Sequence, residues 1–134
     1  MASKRRTGSQ DVAARIYWGS EVPMREIRRF AREVARQFKP DKIVLFGSQA
    51  QGTAHADSDV DILVIMPARD KHGQACKIRE AVEAAFPMDL IVRTPQELRR
   101  RLREGDLFHT EILSTGKVLY ERRDARVAKE GGRR

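Results

Sequence analysis

The spacing of apolar and polar residues changes period several times along this chain, and each change marks an element. From residue 24 to 38, Met24, Ile27, Phe30, Ala31, Val34, Ala35 and Phe38 recur at helical spacing, and Arg25, Arg28, Arg29, Arg32 and Arg36 fill other positions. That pattern predicts an amphipathic helix with a basic outer side. Pro40 stops it, and Ile43-Val44-Leu45-Phe46 reads as a short buried strand ending at Gly47-Ser48. A polar stretch leads to a second strand over residues 60–66, bounded by Pro67. Ala75, Ile78, Val82, Ala85 and Phe86 predict a second amphipathic helix that Pro87 ends. Cys76 falls near its apolar face and is expected to be a small buried hydrophobe. Residues 88–92 form the third strand. Thr94-Pro95-Gln96-Glu97 is a helix start, with Thr94 as cap, Pro95 at the first position and Glu97 completing a capping box. Helical pieces follow to about Ser114 with a break near Gly105, and residues 117–120 read as a last edge strand. The expected class is α/β (α+β), a small mixed sheet flanked by helices.

Connection lengths set the strand directions. Only about a dozen residues join the first strand to the second, too few for a crossover with a full helix, so the pair is expected to be antiparallel. The third strand follows a full helix, and a right-handed crossover makes it parallel to the second. The end of strand one, Gly47-Ser48, and the starts of strands two and three, with Asp59, Asp61 and Asp89, then meet at one edge.

Asp59 and Asp61 are two residues apart, so their side chains leave the same face of the sheet. Carboxylates so close repel one another unless a cation neutralises them. A hard divalent ion held by oxygen, magnesium or manganese, resolves that repulsion. Gly47-Ser48 suits phosphate, since glycine permits close backbone approach and amides and the hydroxyl donate to phosphate oxygens. No Gly-Lys-Ser/Thr follows, so this is not a Walker A loop, and Gly47 and Gly52 do not make a dinucleotide fingerprint.

Size and charge narrow the classes. The 134 residues suffice for one hydrophobic core, and the composition of 34% charged and 40% apolar residues is that of a globular domain. No run is long and apolar enough for a membrane span or a signal peptide. The single Cys76 forms no internal disulfide or zinc site alone, and a reducing, cytoplasmic setting is expected. Most of the net +8 belongs to the ends: residues 1–20 and 121–134 carry +3 each, leaving +2 for the domain expected over 21–120. Both ends read as flexible, basic, solubilising segments rather than as a nucleic-acid contact.

Leu45-Phe46-Gly47-Ser48, ten intervening residues, then Asp59-Val60-Asp61 resemble the G-S-x10-D-x-D signature of the DNA polymerase β-like nucleotidyltransferase superfamily, and Ser58 matches the serine before its first Asp. The chain is similar, over about residues 24–120, to the minimal nucleotidyltransferases of prokaryotes, which are often paired with HEPN-domain proteins. The resemblance implies the polymerase β-like fold and a triphosphate substrate, ATP or another NTP, with Gly47 and Ser48 holding its β- and γ-phosphates. It implies two magnesium ions on Asp59 and Asp61, with Asp89 as third carboxylate, binding the second metal and assisting deprotonation of the nucleophile. The implied reaction transfers a nucleoside monophosphate, AMP from ATP, to an acceptor hydroxyl. In the HEPN-paired group this implies an antitoxin that adenylylates a tyrosine of a ribonuclease toxin. Larger members carry a second, acceptor-binding domain for which this chain has no room, so a partner is expected to supply the acceptor or complete the site. The alternatives are a catalytically weak regulatory subunit and a basic nucleic-acid-binding module.

Other residues carry blander expectations. His55 reads as a solvated loop histidine within reach of the triphosphate, and Asp57 as a turn residue. His72 and His109 lack Cys or His neighbours at ligand spacing and are read as structural or exposed. Tyr17 and Trp18 either pack on the core or mark a partner contact. Arg99, Arg100, Arg101 and Arg103 read as a solvated basic helix face.

Overall fold

The computed structural model describes residues 21–54 and 58–123. Tyr17, Trp18, His55, Asp57 and the basic ends up to residue 20 and from residue 124 lie outside the described residues. The elements run α1 (Met24–Phe38), β1 (Lys42–Phe46), α2 (Ser48–Gln51), β2 (Val60–Ile65), α3 (Lys71–Ala81), β3 (Met88–Arg93), α4 (Pro95–Arg103), α5 (Leu107–Thr115) and β4 (Lys117–Glu121).

The four strands form one mixed sheet in the order β3-β2-β1-β4. β1 pairs antiparallel with β2, and β2 pairs parallel with β3, as the connection lengths require. β4 is the edge strand on β1, with a register shift between Ile43 and Val44. The sheet continues past Tyr120: Lys42 Nζ lies 3.7 Å from Glu121, and Arg122 reaches Asp41 at 2.7 Å.

Strand alternation divides the core in two. Ile43, Leu45, Val60, Ile62, Val64, Leu90 and Val92 point to one face, where Ile27, Phe30 and Val34 of α1 and Ala75 and Ile78 of α3 bury them. Val44, Leu63 and Ile65 point to the other face, where they meet Leu98 of α4 and Ile112 of α5. The side chains of Ile27, Ile43, Leu45, Ile62, Leu63 and Ile78 are fully buried. Burial of this kind contributes roughly 1.5–3 kcal/mol per side chain before entropy is counted.

Two sequence expectations change here. α3 stops at Ala81, with Val82 already extended, so the apolar residues after it lie in a turn rather than on a helix. Val82 and Phe86 still reach the core, and Phe86 meets Phe30 edge to face with centroids 6.0 Å apart. Cys76 is exposed, not buried. The buried stripe of α3 is Ala75 and Ile78, and one residue past Ala75 the helix has already turned about 100° towards solvent.

The caps explain where the helices begin. Asp70, Thr94 and Asp106 accept from the amides of Gly73, Glu97 and His109 respectively. Pro95 occupies the first turn of α4 as expected. Glu97 forms no reciprocal half of a capping box among these bonds; its carboxylate turns to Lys71 and Arg101.

Candidate active site

Five residues singled out in the sequence lie at one corner of the sheet. β1 ends at Phe46, in register opposite Asp61 of β2, and Asp61 is in turn in register with Asp89 of β3. Asp61 therefore stands between Phe46 on one side and Asp89 on the other. Asp59 precedes β2 by one residue and shares the face of Asp61 by strand alternation. All four side chains belong to the face that α4 and α5 cover further along the strands. Asp59 and Asp89 are exposed, and Asp61 is half-buried.

Gly47 follows Phe46 with φ +76° and ψ −158°, a backbone region open almost only to glycine. Space demands glycine independently, because a Cβ at this position would collide with Asp61 Oδ2. The turn thus lays bare backbone against the central carboxylate and starts the single turn α2 at Ser48. Gln49 and Ala50 of α2 are buried and anchor it.

Electrostatics mark Asp61 as the strained member. Burial pushes its carboxyl up to about 6, and the charges of Asp89 and then Asp59 push in the same direction. Three carboxylates at one sheet edge make an oxygen donor set suited to a hard divalent cation. Among the described residues, however, no group of three His, Cys, Asp or Glu side chains stands close enough to hold a metal ion as the side chains are placed here.

A pocket of about 290 Å³ opens beside Asp61 on the β1 side, lined by Gly47, Asp61, Phe46, Gln51, Phe108 and Glu111 among others. Its outer wall is Phe108, whose ring meets Phe46 edge to face, with centroids 5.9 Å apart and planes at 88°. On the β3 side Asp59, Arg79 and Met88 border a second hollow, where Arg79 Nη2 donates to the Met88 carbonyl at 2.9 Å. The hollow between α1 and the turn after α3, lined by Glu26, Arg29 and Glu33, includes none of the three aspartates.

A polar network holds the helices that shape this face. Glu97 is only 8% exposed, and its two oxygens accept from Lys71 Nζ at 2.6 Å and Arg101 Nε at 3.1 Å. Burial alone would raise Glu97, but these bonds outweigh it and hold the carboxyl below its ordinary value. Arg101 also reaches Asp106 at 3.2 Å, so it is engaged rather than part of a solvated basic face. The His109 amide holds the Asp106 carboxyl well below the usual carboxylate range, with the imidazole and Arg101 adding to it. His109 is buried, its Nδ1 lies 3.0 Å from Asp106, and its Nε2 accepts from Arg93 Nε at 3.1 Å. His72 is exposed.

The sequence reading missed Phe108, Glu111 and this network. The Glu97–Arg101 spacing of four on a helix was the one local signal available. Nothing local marks Phe108, since its role depends on where α5 meets the end of β1.

Residues 27–114 match the model of the nucleotidyltransferase domain family, and the chain belongs to that family. Among solved structures, a Sulfolobus solfataricus protein assigned to the nucleotidyltransferases shares 15% identity at TM-score 0.50, covering 84% of this chain and 88% of its own. A toxin–antitoxin crystal structure with AMP-PNP shares 27% identity at TM-score 0.45, covering 75% and 78%. A mutated form of the toxin–antitoxin MntA–HpeT shares 24% identity at TM-score 0.45, covering 79% and 80%. No curated protein matches the chain. Among the described residues no helix is long and apolar enough to cross a membrane.

Proposed function

We propose that this nucleotidyltransferase uses Asp59, Asp61 and Asp89 to hold two magnesium ions and transfers a nucleoside monophosphate, AMP from ATP, to an acceptor hydroxyl. The observation that carries this reading is the register of Asp61 with Asp89, beside the bare backbone of Gly47. Phosphate oxygens need close backbone approach on one side of the reacting phosphorus and metal-binding carboxylates on the other. Gly47 is the candidate for the first role and Asp59, Asp61 and Asp89 for the second.

Gly47 and the Ser48 hydroxyl position the β- and γ-phosphates, aligning the α-phosphorus near Asp61. Asp59 and Asp61 would hold the cations, whose charge would offset the repulsion between these carboxylates and the phosphate oxygens. Asp89, exposed at the start of β3, would serve as the third ligand and take the proton from the attacking hydroxyl. When bound, the metals supply charge neutralisation on the triphosphate and the leaving pyrophosphate.

The acceptor hydroxyl is proposed to belong to a partner protein, a HEPN-type toxin being the candidate that the G-S-x10-D-x-D resemblance suggests. The test is transfer of label from α-labelled ATP to such a partner, alongside calorimetry of ATP binding with magnesium and with excess chelator. Label on the partner and metal-dependent binding are expected. Equal ATP affinity in chelator would overturn the metal assignment. Tight binding with no transfer to any partner would favour a regulatory subunit instead.

A further inference from the structure

Phe108 is a large apolar side chain left 52% exposed at the start of α5. It does not stand alone. Its ring is braced at right angles on Phe46, and the two line the pocket whose inner end is Gly47 and Asp61. Gln51 and Glu111 bring an amide and a carboxylate to the same pocket. A space with aromatic faces and a few hydrogen-bonding groups at its rim matches a flat, polar-edged ring. At about 290 Å³ it takes a small molecule or part of one, not a folded segment.

We infer that this pocket is the nucleobase site of the triphosphate donor, with Phe108 as the wall on which the base stacks. The inference rests on the proposed placement of the triphosphate at Gly47 and Asp61, and adds to it the direction in which the nucleoside points. Strand order decides between donor and acceptor. The pocket is lined by Asp61, beside which the α-phosphorus that carries the nucleoside is proposed to sit, and it opens on the β1 side, away from Asp89. The β3 side, where Asp89 stands exposed, is left for the acceptor. Glu111 would accept from an exocyclic amine, favouring adenine, guanine or cytosine over uracil.

The experiment compares ATP with inorganic tripolyphosphate, each with magnesium, binding to the full chain by calorimetry. Stacking of one base predicts that Phe108→Ala weakens ATP binding about tenfold and leaves tripolyphosphate within about twofold of the parent. Phe108→Trp should restore ATP binding. In a Trp18→Phe background the introduced indole should be quenched by ATP and not by tripolyphosphate. Unchanged ATP binding by a folded Phe108→Ala protein, or equal loss of both ligands, would overturn the inference. So would a loss confined to transfer onto a partner protein, which would make Phe108 an acceptor contact. If the unaltered chain binds neither ligand, the triphosphate reading itself fails, and the base site with it.

Discussion

Gly47, one residue past the Phe46–Asp61 pair that ends the β1–β2 ladder, lies so close to Asp61 that a methyl group on it would overlap Asp61 Oδ2. The glycine is also held at φ +76°, where an L side chain is strained. Gly47→Ala should therefore lower stability by about 1–3 kcal/mol in urea titrations. It should also weaken ATP binding by more than about tenfold, because the added methyl displaces the carboxylate or the turn. Near-parental values for both would mean that the turn relaxes and that its closeness to Asp61 has no consequence.

Removing charge at the carboxylates should separate chemistry from folding. Asp59→Asn and Asp61→Asn keep side-chain shape and should each slow transfer from α-labelled ATP on the order of 10³-fold or more, about 4 kcal/mol of barrier. Without metal, thermal melts of Asp61→Asn should rise, since a half-buried carboxylate pressed by Asp89 and Asp59 has gone. Parental transfer rates in both variants would sink the two-metal reading.

The raised Asp61 carboxyl gives metal-free stability a definite pH dependence. Folded Asp61 holds its proton up to about pH 6, against 3.8 ordinarily. The folded state thus binds more protons than the unfolded one in that window, and this group's contribution is lost as pH rises through about 6. The melting-temperature advantage of Asp61→Asn over the parent should be largest at pH 7 and shrink as pH falls towards 4. Magnesium should abolish the difference in trend, because the ion favours the charged form. A gap that is constant across this range would show that Asp61 titrates normally.

Glu97 has the opposite sign. Its ion pair with Lys71 ties α3 to α4 and that with Arg101 lies within α4, but both cations are partly exposed, which limits their worth. Glu97→Ala should cost about 1–2 kcal/mol in urea unfolding at neutral pH, with the m-value unchanged. Glu97 is held below its ordinary 4.5 in the fold, so its contribution is present above that pH and fades as pH falls through the lowered value. The deficit of the variant should narrow accordingly in acid. A deficit that persists undiminished there would assign the loss to packing.

What the sequence determined by itself is the part of this protein written in local spacing. Helical periodicity placed α1, and proline and glycine punctuation bounded β1, β2 and β3. Short and long connections set antiparallel and parallel pairing, which alone was enough to bring Gly47, Asp61 and Asp89 to one edge. These follow from steric rules on the connection between consecutive elements, so no distant contact can reverse them easily. The tertiary structure decided the rest. Cys76 is exposed because α3 rests on Ala75 and Ile78, and the spacing of Val82 and Phe86 continued the helical rhythm through what is a turn. Glu97 abandons a capping box for Lys71, 26 residues away in sequence, because α3 is near enough to pair with it. Phe108 becomes a pocket wall only because α5 packs over the end of β1, setting its ring on Phe46, 62 positions earlier in the chain. Such features depend on how whole helices seat on the sheet, a sum of many small contacts that no window of sequence contains.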